Sequence, residues 1–142
     1  KSCGCKSNRN DNAALNQKYA TYKRDIINKG LNFNLTKEEF YLIIQENCYY
    51  CDSEPILWSQ YIDSNGEIYE RYKNTMNNDY IFEARVKING IDRLNSKKGY
   101  SLDNCVPCCK QCNIMKNNYT ENNFLRQVKK IYEFKTLNQC EF

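Results

Sequence analysis

A chain of 142 residues with nine cysteines, no histidine and a net charge of +4 has room for one domain with a modest core. Nothing in it approaches the length of an apolar bilayer span and no secretory leader pattern opens it, so no membrane partner and a reducing intracellular compartment are expected. A secreted disulfide scaffold is disfavoured by the odd cysteine count and the C-x-x-C clustering, and the excess of 21 basic over 17 acidic side chains permits polyanion binding without requiring it.

The C-x-C cluster Cys3-Gly4-Cys5 stands at the very start, where it would need partners from upstream sequence to hold a metal. From about Asn12 to Lys29, Leu15, Tyr19, Tyr22 and Ile26 recur at three- and four-residue spacing, which predicts an amphipathic helix stopped by Gly30. Thr36 followed by Glu39 is a capping box, and Phe40, Ile43 and Ile44 carry the apolar face of a second helix toward Cys48. Residues 12–47 thus read as a helical lead-in. Between Leu57 and Tyr72 the pattern is aromatic and extended around Asn65-Gly66, a dipeptide suited to a two-residue hairpin turn. Tyr80 to Ile91 alternates as a strand would, with Asn89-Gly90 marking a bend before Asp92. Asn113 to Lys116 start a short helix, and Thr120 caps a last one carrying Phe124, Val128 and Ile131. The fold class is α+β, with helices dominating both ends.

The cysteines suggest a metal-built site. Cys48 and Cys51, then Cys109 and Cys112, form two C-x-x-C turns, each aiming two thiolates at one point, and two such turns complete a tetrahedral zinc site. Cys105 and Cys108 make a third C-x-x-C, and spacing alone leaves the pairing open. Asp92 offers a carboxylate oxygen suited to Mg²⁺ or Mn²⁺, or simply a turn or a partner for Arg93. Asn113 offers an amide oxygen or a helix cap. Lys97, Lys98, Lys110, Lys116, Lys129 and Lys130 are candidate phosphate contacts, although each also suits an ordinary solvated surface. Tyr49, Tyr50, Trp58 and Tyr61 could stack on bases, but packing is the commoner use of such side chains.

Taken in order, Cys48-Tyr49-Tyr50-Cys51, Gly90-Ile91-Asp92-Arg93, Gly99-Tyr100, Asn104, Pro107-Cys108-Cys109 and Cys112-Asn113 with Lys116 resemble the HNH endonuclease family, in its branch common in phages and large viruses. The resemblance runs from about Tyr22 to the C-terminus. It implies a ββα-metal core in residues 48–142 in which a strand pair and a helix hold a divalent cation against a scissile phosphate of DNA. It favours Cys109 and Cys112 as the partners of Cys48 and Cys51 at zinc, leaving Cys105, Cys108 and Cys140 as buried or free thiols. It makes Asp92 and Asn113 the Mg or Mn ligands, and Asn104 the residue that orients the catalytic loop. Residues 1–11 are similar to the end of a small cysteine-rich module, which implies an upstream domain missing from this chain. A host-cell cytoplasm or nucleus is the implied location, and the oligomeric state is not indicated.

One position departs from the family. Where its general-base histidine stands, this chain has Arg93, whose guanidinium stays protonated and can clamp a phosphate but cannot take a proton. The base must be water, Tyr100, or a residue folding in from elsewhere. Two expectations follow: a DNA endonuclease hydrolysing phosphodiesters with a divalent cation, or a catalytically silent zinc-containing module that binds nucleic acid or is structural.

Overall fold

The structure, a computed structural model, describes residues 9–83 and 85–138. Cys3, Cys5 and Cys140 lie outside them. Two helices open the chain: α1 (Arg9–Asn28) and α2 (Lys37–Gln45). The first starts earlier than its apolar spacing suggests and ends as expected, with Gly30 at φ 75° and the Leu31 N–H returning 3.2 Å to the Ile26 carbonyl, a closure that glycine permits without a Cβ penalty. The capping box forms in both directions. Glu39 N–H donates to Thr36 Oγ1 at 3.2 Å and Thr36 N–H donates to Glu39 Oε2 at 2.8 Å, satisfying two otherwise orphaned donors.

The strands come in two antiparallel pairs. β1 (Ile56–Trp58) pairs with β2 (Val86–Ile88), Ile56 opposite Ile88. β3 (Gly90–Arg93) pairs with β4 (Cys105–Cys108), Asp92 opposite Val106. α5 (Lys110–Lys116) follows β4 directly, and α6 (Glu121–Leu137), capped by Thr120, closes the described chain. Between β1 and β2 lie two short helices, α3 (Glu70–Lys73) and α4 (Asn78–Glu83). The class is α+β.

The main core sits between α1, α2 and the strands. Phe40 is fully buried at its centre, ringed by Tyr19, Tyr22 and Phe33 at centroid distances of 5.4, 5.4 and 6.3 Å, within the range where aromatic pairs attract beyond simple burial. Tyr100 joins from the β3–β4 loop and bridges to Phe33 in the α1–α2 linker. Gly99 is required there, because a Cβ would come within 2.6 Å of the Asn32 carbonyl oxygen.

Two local expectations are corrected. The Asn65-Gly66 dipeptide does not turn a hairpin between long strands: β1 pairs instead with the distant β2, and the turn closes only the isolated bridge Ile62–Ile68. The Asp63 carboxylate accepts the N–H groups of Asn65 and Glu67 at 2.8 and 3.0 Å, a side-chain turn that leaves only Gly66 at positive φ where a two-residue loop needs both central residues there. The alternation from Tyr80 to Ile91 is also only partly strand. Asn77 Oδ1 accepts the Asp79 N–H at 2.8 Å, starting α4 and turning Ile81 into a second small core with Tyr61 and Ile62. The strand starts at Val86.

Candidate metal centre and active-site cleft

The metal centre is built from two chain turns that are docked together. After α2, the Cys48 N–H donates to the Ser53 carbonyl and the Asp52 N–H to the Cys48 carbonyl, each at 2.9 Å, with Asp52 at φ 60°. The Tyr49 N–H donates to the Pro107 carbonyl at 2.9 Å, fastening this knuckle to β4. Asn89 adds a brace, its amide donating to the carbonyls of Glu46 and Ser53 at 2.9 and 3.4 Å. Cys109 is the N-cap of α5, its sulfur accepting the Cys112 N–H at 3.4 Å.

Cys48, Cys51, Cys109 and Cys112 thereby bring their four sulfurs within 4.8 Å of one another. Cys51 and Cys109 are 3.7 Å apart, close to the edge of about 3.8 Å that four sulfurs at about 2.3 Å from a tetrahedral zinc define. None of the six described cysteines is in a disulfide. The donor set and spacing fit a structural zinc-type site. The backbone prepares it: burial alone would raise the Cys48 thiol, but N–H groups of Cys109, Cys51 and Tyr50 bring it down to about 6, toward the thiolate a metal requires. The competing pair resolves by geometry: the sulfurs that gather are those of Cys48, Cys51, Cys109 and Cys112, whereas Cys108, wholly enclosed, turns its thiol to the Cys109 carbonyl at 3.4 Å and Cys105 belongs to the main core.

Beside this centre, β3, the β3–β4 loop and α5 form one side of a cleft of about 530 Å³. Alternate residues of a strand face opposite ways: Ile91 enters the main core and Asp92 meets α5. The Asp92 carboxylate, only 5% exposed, accepts Tyr50 Oη at 2.7 Å and pairs with Lys116 Nζ, which lies 3.2 Å from Oδ1 and 3.0 Å from Oδ2. Lys116 also donates to the Arg93 carbonyl at 3.1 Å, and both burial and the Asp92 hydrogen bond push the Tyr50 phenol upward. Three of roughly four carboxylate lone-pair sites are therefore occupied by protein donors, and one remains on Oδ1. Asn113, on the second turn-face of α5, also lines the cleft, and its side-chain amide makes no hydrogen bond among the described residues. Both residues line the cleft, and a carboxylate oxygen and an amide oxygen are donors of the kind that hard divalent cations take.

Arg93 and Asn104 shape the loop between β3 and β4. Arg93 Nη1 donates to the carbonyls of Ser96 and Lys98 at 2.9 and 2.7 Å, and its guanidinium lies 5.1 Å over the Tyr100 ring. Asn104, 4% exposed, donates to the Asn95 and Gly99 carbonyls at 3.1 and 2.9 Å and accepts the Asn95 N–H at 2.9 Å. The loop that carries exposed Lys97 and Lys98 is thus closed on itself from behind. Arg93 lines the cleft and Asn104 does not.

The expectation for Lys116 is corrected. It is completely buried and its ammonium is committed to Asp92, so it holds α5 onto β3 and is closed to a surface phosphate. Lys129 and Lys130 are exposed on α6, Lys129 lying 3.6 Å from Glu133, and neither lines the cleft. The opposite wall, missed in the sequence, is α1 and the turn that ends it: Tyr22, Asp25 and Ile26 of the helix and Lys29 just beyond it face the cleft. Their three- and four-residue spacing was visible, but only the partner strand tells which face of α1 meets it.

Comparison with solved structures places this architecture. The rare-cutting HNH restriction endonuclease PacI superposes with a TM-score of 0.51 at 18% identity, over 84% of this chain and 77% of that one. The fold is HNH-like. No protein-family profile matches the chain. Protein R423 of Acanthamoeba polyphaga mimivirus is 40% identical over 114 residues, 80% of this chain, and the chain spans 16% of the length of that relative. Within the HNH-like fold, β3, β4 and α5 are the ββα unit, and the four-cysteine cluster closes its helix end. No described helix is long and apolar enough to cross a membrane.

Proposed function

We propose that the chain is an HNH-type endonuclease domain that hydrolyses DNA phosphodiesters with Mg²⁺ or Mn²⁺, its ββα unit stapled by zinc at Cys48, Cys51, Cys109 and Cys112. The observation that carries this reading is the cleft itself, where a carboxylate, a guanidinium and an open amide meet on the ββα unit of an HNH-like fold. A bound divalent cation supplies neutralisation of the charge that builds on the phosphate and polarises the attacking water. Asp92 and Asn113 hold it. Tyr50 and Lys116 fix the Asp92 carboxylate, and the Lys116 ammonium offsets its charge. Arg93, with Nη1 already spent on the loop, turns its remaining N–H donors to the phosphate. Lys97 and Lys98 extend the contact along the backbone, with Lys129 and Lys130 as more distant contributors. DNA rather than RNA as the partner, and a host-cell compartment as the site of action, belong to the same reading and draw on the likeness to PacI and to the mimivirus protein.

The test is cleavage of supercoiled plasmid by the zinc-loaded protein in Mg²⁺ or Mn²⁺, beside Asn113→Ala. That variant is the cleaner one, because Asn113 is half-buried without hydrogen bonds to break, whereas Asp92→Ala strands a buried ammonium. Metal-dependent cutting that Asn113→Ala lowers by about a hundredfold or more supports the reading, as the loss of a directly placed electrostatic group does elsewhere. A second reading draws on the absence of histidine and on the capture of Asp92 by Lys116: a zinc-containing module that binds nucleic acid without cutting it. Plasmid left intact with DNA affinity retained selects that alternative.

A further inference from the structure

With Arg93 in place of a histidine, the proposed hydrolysis lacks a proton acceptor, and the cleft offers few. The Lys29 ammonium and the Arg93 guanidinium offer donors and no acceptor. The Tyr22 phenol is held in its protonated form chiefly by burial and by its hydrogen bond with Tyr100, and Tyr100 lies buried beneath the Arg93 guanidinium. Asp92 is enclosed, three of its lone-pair sites are taken by Tyr50 and Lys116, and the one left on Oδ1 is the one assigned above to the cation. The remaining carboxylate is Asp25, on the α1 wall facing β3. Its side chain is 53% exposed, and its described hydrogen-bond partner is the neighbouring Arg24, 3.3 Å away on the surface, a contact too exposed to immobilise it. Lys29 stands one helical turn further along the same wall.

We propose that Asp25 is a catalytic residue, the general base of this cleft; the assignment rests on the endonuclease reading above. As the water oxygen forms its bond to phosphorus, one water proton passes to the Asp25 carboxylate. The bond from phosphorus to the leaving ester oxygen breaks, and that oxygen takes a proton from solvent. Asp25 then releases its proton to solvent, so that one water and one phosphodiester yield one phosphomonoester and one alcohol. The base thus comes from a helix outside the ββα unit.

The experiment measures single-turnover cleavage of supercoiled plasmid in Mg²⁺ across pH for the wild type, Asp25→Asn and Asp25→Glu, with duplex affinity measured without added divalent cation and thermal midpoints alongside. The groups facing Asp25 are Lys18 and Arg24 on its own helix, Lys29 just past its end, Asp92 and Arg93 on β3, and the Tyr22–Tyr100 pair, all of which the Asn variant leaves in place. Asp25→Asn is expected to lower the rate by about a hundredfold or more, the usual worth of a general base, and to abolish the rise of rate with pH on the acid side. Affinity and midpoint stay unchanged, and Asp25→Glu recovers part of the rate. A wild type that cuts while Asp25→Asn cuts equally well overturns the assignment and leaves the endonuclease reading standing. A loss that comes with weaker DNA binding, or with the pH profile intact, overturns it in favour of a positioning role. A wild type that does not cut overturns both.

Discussion

The two strand pairs of this protein are secured by different forces. β3–β4 is held by polar and thiol groups that the chain gathers from far apart: the four-cysteine cluster, the buried Lys116–Asp92 pair and the Asn104 brace. β1–β2 is held by apolar packing: Val86 and Ile88 of β2 enter the main core and Trp58 of β1 packs against it, while the connection between the two strands carries a separate small apolar cluster centred on Tyr61, Ile62 and Ile81. The first arrangement fixes the polar groups of one cleft wall in place. The satellite cluster of the second only fills space, and it should fail locally and cheaply.

The largest effect that separates them is removal of the metal. With the four thiolates contributing on the order of 10 kcal/mol, stripping zinc with a chelator, or Cys112→Ser, is expected to unfold the β4–α5 junction together with the Cys48 knuckle. Metal analysis should return one zinc per chain before treatment, and circular dichroism should report the loss of structure. A protein that keeps its melting midpoint after complete metal loss would place the strength of this half in its core and not in the staple.

Next in size is the buried ion pair. Lys116→Met keeps the volume and leaves the Asp92 charge enclosed with only the Tyr50 hydroxyl, which should cost about 3–5 kcal/mol in denaturant unfolding. Adding Asp92→Asn removes the uncompensated charge, so the double variant is expected to recover much of that loss. If both single and double variants melt like the wild type, the pair contributes orientation alone.

The comparison also tracks what was legible in the sequence. Local chemistry read through well: the Thr36 capping box, the Gly30 stop, the Thr120 cap and the two C-x-x-C turns each depend on residues within a few positions of one another. What failed was non-local. Ile56–Trp58 looked like half of a hairpin because Asn65-Gly66 stood nearby, yet its partner Val86–Ile88 lies beyond two helices, and β4 was hidden in the cysteine-rich run that also caps α5. Lys116 reads as a surface charge until Asp92 is placed opposite it. Asp25 gave no sign at all, since a polar residue on an amphipathic helix becomes a wall of a cleft only once the strand across from it is known.

The smallest effect belongs to the satellite cluster. Ile81 is fully buried against Tyr61 and Ile62, with Ile68, Tyr72 and Met76 packed around them, so Ile81→Ala opens a cavity that costs about 2–5 kcal/mol in a continuous core. Here the lower end applies, because the cluster is small and its surroundings can collapse into the gap. Hydrogen exchange should show amide protection falling between β1 and β2, while amides of β3, β4 and α5 keep theirs, since local stability need not follow the global value. Plasmid cleavage, if the wild type shows it, should be unchanged, because no residue of this cluster lines the cleft. Loss of protection spreading to β3 would mean that the β1–β2 pair transmits its stability through Asn89 to the metal knuckle, and the two halves would then be one cooperative unit.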